Sequence, residues 1–413
     1  MDALDIQAGR YLQTRLGRHL SAPETGVAFG SSHPFEDSGQ QSGKEAPPRL
    51  LAVSHPSVVS VNQETYLELI NRGWEVTVIV PDRWRHEYSP TLVEPQVLEG
   101  MEGSLHPLAI ALPGRPQRHF YIARCAALIK RLRPQVAFLE AESYSLSASQ
   151  WGFALHRLGI PFGVQCAENL DRELPAPVRA MRSRVLRHAA FVVTRSESAS
   201  RLARVWGARG EVELAPHAVP DWEHVPPPDP ERPFTVGYAG RLVESKGLLD
   251  LLEAVRRLQA PVELLLIGDG ELRAQLEGQQ IPGSRVRVID GLSHAEMASG
   301  YAQLDVLALP SHTTPTWKEQ FGRVIVEALW CGVPVVGSDS GEIPWLIGLT
   351  GGGLVFPEGD SAMLAAQLEK LRESPELRRE LAATGRAAVE RLFTVPAATD
   401  PLEQMLLHAI QRR

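Results

Sequence analysis

The run Glu319–Leu329, EQFGRVIVEAL, holds the residues best placed to do chemistry. Two carboxylates, Glu319 and Glu327, stand eight positions apart with Gly322 between them. The run follows an apolar, strand-like segment, LDVLALP, and a polar loop, SHTTPTWK. A helix opening here offers unpaired N–H groups in its first turn, and its dipole favours an anion there. A glutamate before that turn and another farther along could hold hydroxyls on either side of the anion. Phosphate flanked by hydroxyls is the pattern of a nucleotide sugar. A glutamate at a helix start also simply complements the dipole, so the pair needs support from its surroundings.

Support comes from GYAGRLVESKG, Gly237–Gly247, which joins a strand-like run to a helix-like one. Its glycines, Gly240 among them, let backbone approach a ligand closely. Arg241 and Lys246 would reach a diphosphate from two sides, one as a fork and one as a point charge. The plain alternative, two solvated charges, fits less well, because cations at a helix start oppose the dipole. The run is neither a GxGxxG dinucleotide fingerprint nor a Walker loop, and no acidic residue follows to hold a ribose as in nicotinamide enzymes. IGDGEL, Ile267–Leu272, is a second strand-to-helix turn, with Asp269 either a cap or a ligand contact. DGLS, Asp290–Ser293, ends the next strand-like run, where a base could meet backbone.

Elements that must position these residues recur with an α/β rhythm. RLLAVSH, WEVTVIVP, QVAFLEAE, PFGVQCA, AAFVVTRS and VELAPHA are short valine-rich runs with helix-like segments between several of them. That alternation implies a parallel sheet covered on both faces. A second block repeats it from FTVGYAG onward, with Leu248, Leu251, Leu252, Val255 and Leu258 at helical spacing. Ser293 and Glu296 read as a capping box opening a helix over HAEMASGYAQ. The proline-dense DWEHVPPPDPERP between the blocks reads as a linker. The expected organisation is an extension over 1–48, an N-terminal domain over 49–220, a linker over 221–233 and a C-terminal domain over 234–393. A closing helical segment over 394–413 could return to the N-terminal domain. Two doubly wound domains describe a cleft enzyme, with ligands at the carboxyl ends of the strands.

Composition bounds the partners. The 413 residues carry a net charge of −7, divided as −2 over 1–48, +4 over 49–220 and −9 over 221–413. No strong basic face of the kind nucleic acid demands is implied. Cys125, Cys166 and Cys331 are scattered, with neither disulfide framework nor metal-ligand spacing. No apolar run approaches the ~18–20 residues of a membrane span, and MDALDIQAGRYLQTRLGRHL lacks a secretory apolar core. A cytoplasmic protein is the expectation.

GRLVESKG, IGDGEL, the Glu-x7-Glu run, GVPVVGSDSGEIPWLIG and GGLVFPEGD follow one another in an order and at spacings that make the chain similar to a known family. The C-terminal half resembles the retaining glycosyltransferases of family 4, glycosyl transferases group 1, closely over 234–393; over 49–220 only the pattern agrees. The resemblance implies the GT-B fold, two doubly wound Rossmann-like α/β domains facing a central cleft. It implies that Arg241, Lys246 and Gly240 meet the diphosphate of a UDP- or GDP-linked sugar. Glu327 would hold the ribose and Glu319 the transferred sugar. The N–H groups of Gln320, Phe321 and Gly322 would meet phosphate or sugar oxygens, and Leu292 would face the base. Glu319, Arg241 and Lys246 would be the catalytic set. No DxD motif is present, so no metal or other cofactor is implied, and cations with a helix dipole would stabilise the leaving group. No carboxylate nucleophile for a covalent intermediate is identifiable. Similar enzymes react on the front face, with the leaving phosphate taking the acceptor's proton.

The N-terminal half departs from the family. SHPSVVSVNQETY stands where many relatives have a Gly-Gly loop. Glu142 and Glu168, at strand ends, and His55 are the candidates for sugar or acceptor contact, surface carboxylates being the plain alternative for the first two. His55, His217 and His312 are strand-end or loop histidines of the kind that usually serve structure. Two arginine-rich stretches, Arg118–Arg133 and Val178–His188, read as helices that could dock on anionic lipid or simply face solvent. The implied activity is transfer of a sugar to a glycan or lipid-linked acceptor. The rivals are a donor-binding scaffold without turnover, a sugar-phosphate synthase and, disfavoured, a nicotinamide oxidoreductase.

Overall fold

The computed structural model describes residues 46–85, 91–220, 222 and 232–412. Most of the 1–48 extension and of the 221–233 linker lie outside them. Seven parallel strands form the N-terminal sheet, in the order Glu211–Leu214, Phe191–Thr194, Phe162–Cys166, Val136–Glu142, Arg49–Ser54, Glu75–Pro81, Leu105–Leu108. Six parallel strands form the C-terminal sheet, in the order Arg285–Ile289, Glu263–Ile267, Thr235–Ala239, Val306–Leu309, Val335–Ser338, Gly353–Phe356. Near-continuous apolar strands such as VLAL and VVGS are buried along their whole length, as a sheet covered on both faces requires. Each domain has its own apolar core.

The chain ends in the helix Val395–Gln411, after crossing back from the C-terminal domain beside a Val219 N–H to Phe393 carbonyl bond of 2.7 Å. Leu402, Met405, Leu406 and Ala409 join the N-terminal core. Glu403 fixes the helix laterally, accepting from Arg72 Nη1 at 2.6 Å and from Trp74 Nε1 at 2.8 Å.

Two readings change. Arg118–Arg133 is not one helix: Phe120–Tyr121 is an antiparallel strand paired with Ile110–Ala111, and the helix is confined to Cys125–Leu132. Two-residue strands carry no periodic signal, whereas the basic residues around them mimic a helical face. The helix expected over HAEMASGYAQ spans only Met297–Tyr301. Ser293 and Glu296 bond through the Ser293 N–H and Glu296 carboxylate, at 2.9 Å, ahead of that turn.

Leu406 is fully buried and Leu407, its neighbour, is partly exposed. Leu406→Ala is expected to lower stability by about 2–5 kcal/mol in urea unfolding, and Leu407→Ala far less. Equal effects would contradict this packing.

Candidate active site

Thr235–Ala239 and Val306–Leu309 are neighbours at the point where the strand order of the C-terminal sheet reverses. Their carboxyl ends open the crevice in which ligands of such sheets bind. The loop after the first holds Gly240–Gly247, and the loop after the second leads to Glu319–Gly322. Gly247 has φ +66, and a Cβ there would stand 1.9 Å from the Pro310 carbonyl oxygen. The loops therefore touch backbone to backbone, which only glycine permits.

That contact sets Lys246, at the end of the turn Glu244–Lys246, against Glu319. Lys246 Nζ donates to Glu319 Oε2 at 2.6 Å, and Ser311 Oγ donates to the same oxygen at 3.2 Å. The ammonium also lies 4.4 Å from the centre of the Trp317 ring. Both members of the pair are buried. Arg241 is half-buried in the same loop, whose turn is held by Tyr238 Oη donating to the Arg241 carbonyl at 2.7 Å. The IGDGEL turn braces this loop from below: Leu242 N–H donates to the Asp269 carbonyl, and Leu272 N–H to that of Leu242, both at 2.9 Å.

The helix Arg323–Trp330 starts after Gly322, so Glu319–Gly322 is a loop leading into it. Among the described residues, the N–H groups of Gln320, Phe321 and Gly322 donate to no backbone carbonyl. Glu327 is buried one turn in. Its Oε2 accepts from Tyr301 Oη at 2.7 Å, and its Oε1 lies 3.0 Å from Arg323 Nε. Burial pushes its carboxyl above the usual range, while Arg323 and the Tyr301 hydroxyl oppose the shift. Leu292 is half-buried beyond the edge strand Arg285–Ile289, packed on Gly300. His312 pairs with Asp250, a partner that orients its loop.

The N-terminal domain reaches the same site. Asn169 Nδ2 donates to the Glu319 carbonyl at 2.8 Å, beside the Glu342 N–H at 3.1 Å. The Glu342 carboxyl meets Ser198 of the N-terminal domain. Sequence reasoning missed Asn169, Tyr301, Ser311, Trp317 and Arg323; of these, only Arg323 carried a signal, its i,i+4 spacing to Glu327.

The three N-terminal candidates fare differently. Glu142 Oε1 accepts from the N–H groups of Ala167 and Glu168, at 2.8 and 3.1 Å, while its buried Oε2 has no protein partner among the described residues. Burial raises this carboxyl to about 7, the neighbouring Glu168 charge adds to the shift, and the two N–H groups oppose it. Glu168 is instead turned into its own loop, paired with Arg172 at 3.0 Å and accepting from Tyr144 Oη at 3.2 Å and Leu170 N–H at 3.2 Å. His55 packs between Trp84 and His119, with ring centres 5.1 and 5.2 Å away. Burial, aided by His119, depresses it to about 3, so it is neutral. His217 is likewise held well below the usual range by burial and by Arg195 and Arg323.

Two doubly wound domains closing on such a crevice define the GT-B class. Solved structures share it: sucrose-phosphate synthase from Thermosynechococcus elongatus, with TM-score 0.66 and 18% identity, covers 89% of this chain and 100% of that one. HepE of Anabaena in complex with UDP, with TM-score 0.64 and 16% identity, covers 88% and 100%. Residues 222–388 match the family glycosyl transferases group 1. The capsular polysaccharide biosynthesis glycosyltransferase CapM of Staphylococcus aureus is 29% identical over 181 residues, 42% of this chain; the chain spans 45% of that relative's length. The 2-deoxystreptamine N-acetyl-D-glucosaminyltransferase of Streptomyces fradiae is 28% identical over 318 residues, 70% of this chain and 73% of the relative.

Glu142 makes the fold's stability pH-dependent. Its folded pKa, about 7, lies above the ordinary 4.5, so the native state binds more protons between those values. Its contribution to stability therefore falls as pH rises through that window and stays low above it. Glu142→Gln should flatten this part of the thermal unfolding profile and raise the melting temperature above neutrality. An unchanged slope would show that the carboxyl is not held near neutral.

Proposed function

We propose that this protein is a retaining family 4 glycosyltransferase that moves a sugar from a UDP- or GDP-linked donor to a lipid-linked glycan acceptor. The observation that carries the reading is the convergence of Lys246 and Glu319 beside a helix start and the buried Glu327. Arg241 and Lys246 would hold the diphosphate, Glu327 the ribose diol and Glu319 the transferred sugar. The N–H groups of Gln320, Phe321 and Gly322 would complete an anion cradle. Gly240 and Leu292 would line the path to the base.

In the transfer, the bond from the anomeric carbon to the diphosphate oxygen breaks and its electron pair stays on that oxygen. The acceptor hydroxyl forms the new bond from the same face, and its proton passes to the leaving phosphate. Arg241, Lys246 and the helix start offset the growing negative charge. On the acceptor side, Glu142 keeps one uncommitted oxygen for a hydroxyl. A small soluble acceptor is the rival, since the Streptomyces fradiae relative is by name a 2-deoxystreptamine N-acetyl-D-glucosaminyltransferase. Among the described residues no helix is long and apolar enough to cross a membrane.

Calorimetric titration with UDP, GDP, ADP and pyrophosphate tests the assignment. One nucleotide should bind, and Lys246→Ala should weaken it about 10- to 100-fold, as loss of a charged hydrogen bond does. Glu327→Gln should weaken the nucleotide and spare pyrophosphate. Full binding by Lys246→Ala would refute the donor site. Binding without turnover on any acceptor would favour a scaffold.

A further inference from the structure

Between Gly103 and Leu139 the chain has no aspartate or glutamate, but six lysines and arginines. The hairpin built from this stretch, Ile110–Ala111 paired with Phe120–Tyr121, has two unlike faces. Inward, His119 and Tyr121 are buried beside His55, Trp84 and Trp151. Outward, Leu112 and Ile122 are 50% and 65% exposed, and Phe120 and Leu146 are exposed as well. Leu146 belongs to the same surface, because its N–H donates to the Gln117 carbonyl at 3.0 Å. Leu112 holds its place at φ +59, a conformation that non-glycine residues seldom adopt.

A second short antiparallel pair, Trp84–Arg85 with Leu92–Val93, lies against the tip of the first hairpin. A Cβ on Gly114, at φ +79, would stand 2.9 Å from the Arg85 carbonyl oxygen. This adds the exposed Leu92 and Arg85 to the surface, with the exposed Glu94 at the end of the pair as an acid on this side. Arg115, Arg118 and Arg124 are exposed along the first hairpin. Large apolar side chains standing in water among arginines, with no acid in that stretch, are the signature of a surface that enters the headgroup layer of an anionic bilayer. Each arginine stem adds apolar cover while its head stays with phosphate.

We infer that this hairpin, with Arg85 and Leu92 beside it, docks the protein on an anionic lipid bilayer and so delivers the N-terminal half of the cleft to a lipid-borne substrate. Position supports the link: Leu146 opens the helix that follows the Glu142–Ser145 strand end, and His55 is packed under the hairpin. The inference rests on the proposed transfer to a lipid-linked acceptor, but the docking is measurable without turnover.

The experiment is sedimentation with vesicles of phosphatidylcholine alone and of equal parts phosphatidylcholine and phosphatidylglycerol. The wild-type protein should pellet with the mixed vesicles only, and release with salt. Ile122→Glu and the double variant Arg115→Glu/Arg118→Glu should each lose at least about tenfold in vesicle affinity. Arg184→Glu/Arg187→Glu, on the helix Ala176–His188, should keep it. Nucleotide titration of all variants should match wild type, which shows that they fold and separates this test from that of the donor site. No binding to mixed vesicles, undiminished binding by the hairpin variants, or loss only in the helix variant would overturn the inference. So would concentration-dependent self-association abolished by Ile122→Glu, which would assign the patch to a second copy.

Discussion

Lys246 and Glu319 meet where water scarcely reaches, and an ion pair there persists only if its other hydrogen-bonding capacity is also met. The surrounding architecture meets it. Ser311 donates to the shared carboxylate oxygen, and Trp317 offers its ring face to the ammonium. Pro310 and Gly247 bring the two loops to backbone contact, so that the lysine needs no extended reach. Tyr238, buried in the first strand, spends its hydroxyl on the Arg241 carbonyl and so fixes the next cation along. Strand order comes first in this chain of dependence: the two loops face each other only because Thr235–Ala239 and Val306–Leu309 are adjacent where the order reverses.

Glu319 ties the domains together through its backbone, while its side chain serves the pair with Lys246. Its carbonyl accepts from Asn169 of one domain and from the Glu342 N–H of the other. A Cβ on Gly341 would stand 2.2 Å from that oxygen, which shows how closely the following turn is drawn in. Separating the domains would break the Asn169 bond and the Glu342–Ser198 contact together. The position of the carboxylate thus depends on how the N-terminal domain sits, an arrangement in which closure can complete a site. Arg195 supports the same junction from beneath, donating to the carbonyls of Ala215 and Pro216 just before the chain leaves the N-terminal domain.

The sheets were legible because buried parallel strands are written as apolar runs bounded by glycine, proline and charge, and FTVGYAG, VELLLIGDG and LDVLALP follow that rule. That Lys246 and Glu319 would come together was legible because each stands in a loop at the carboxyl end of one of two strands, each written as an apolar run. The hairpin Ile110–Tyr121 was not, since two-residue strands have no period and its arginines suggested a helix. Asn169 was invisible for another reason: a side-chain bond spanning 150 positions leaves no local trace. Glu168 misled because a carboxylate at a strand end looks the same in sequence whether it faces a cleft or, as here, is consumed by Arg172 and Tyr144.

Glu327 and Glu142 are both buried and both pushed upward, yet their surroundings suit different work. Glu327 has an arginine and a tyrosine hydroxyl on its two oxygens, so ionisation is supported from both sides. Such a carboxylate accepts hydrogen bonds from a diol without changing its proton. Glu142 has two N–H groups on one oxygen and, among the described residues, no partner on the other, with the carboxyl near neutrality. It can donate through the free oxygen when protonated and accept when ionised, at nearly equal cost. An unspent buried oxygen is destabilising unless a partner arrives. That asymmetry favours Glu142, and not the fully paired Glu168, as the carboxyl that meets the acceptor.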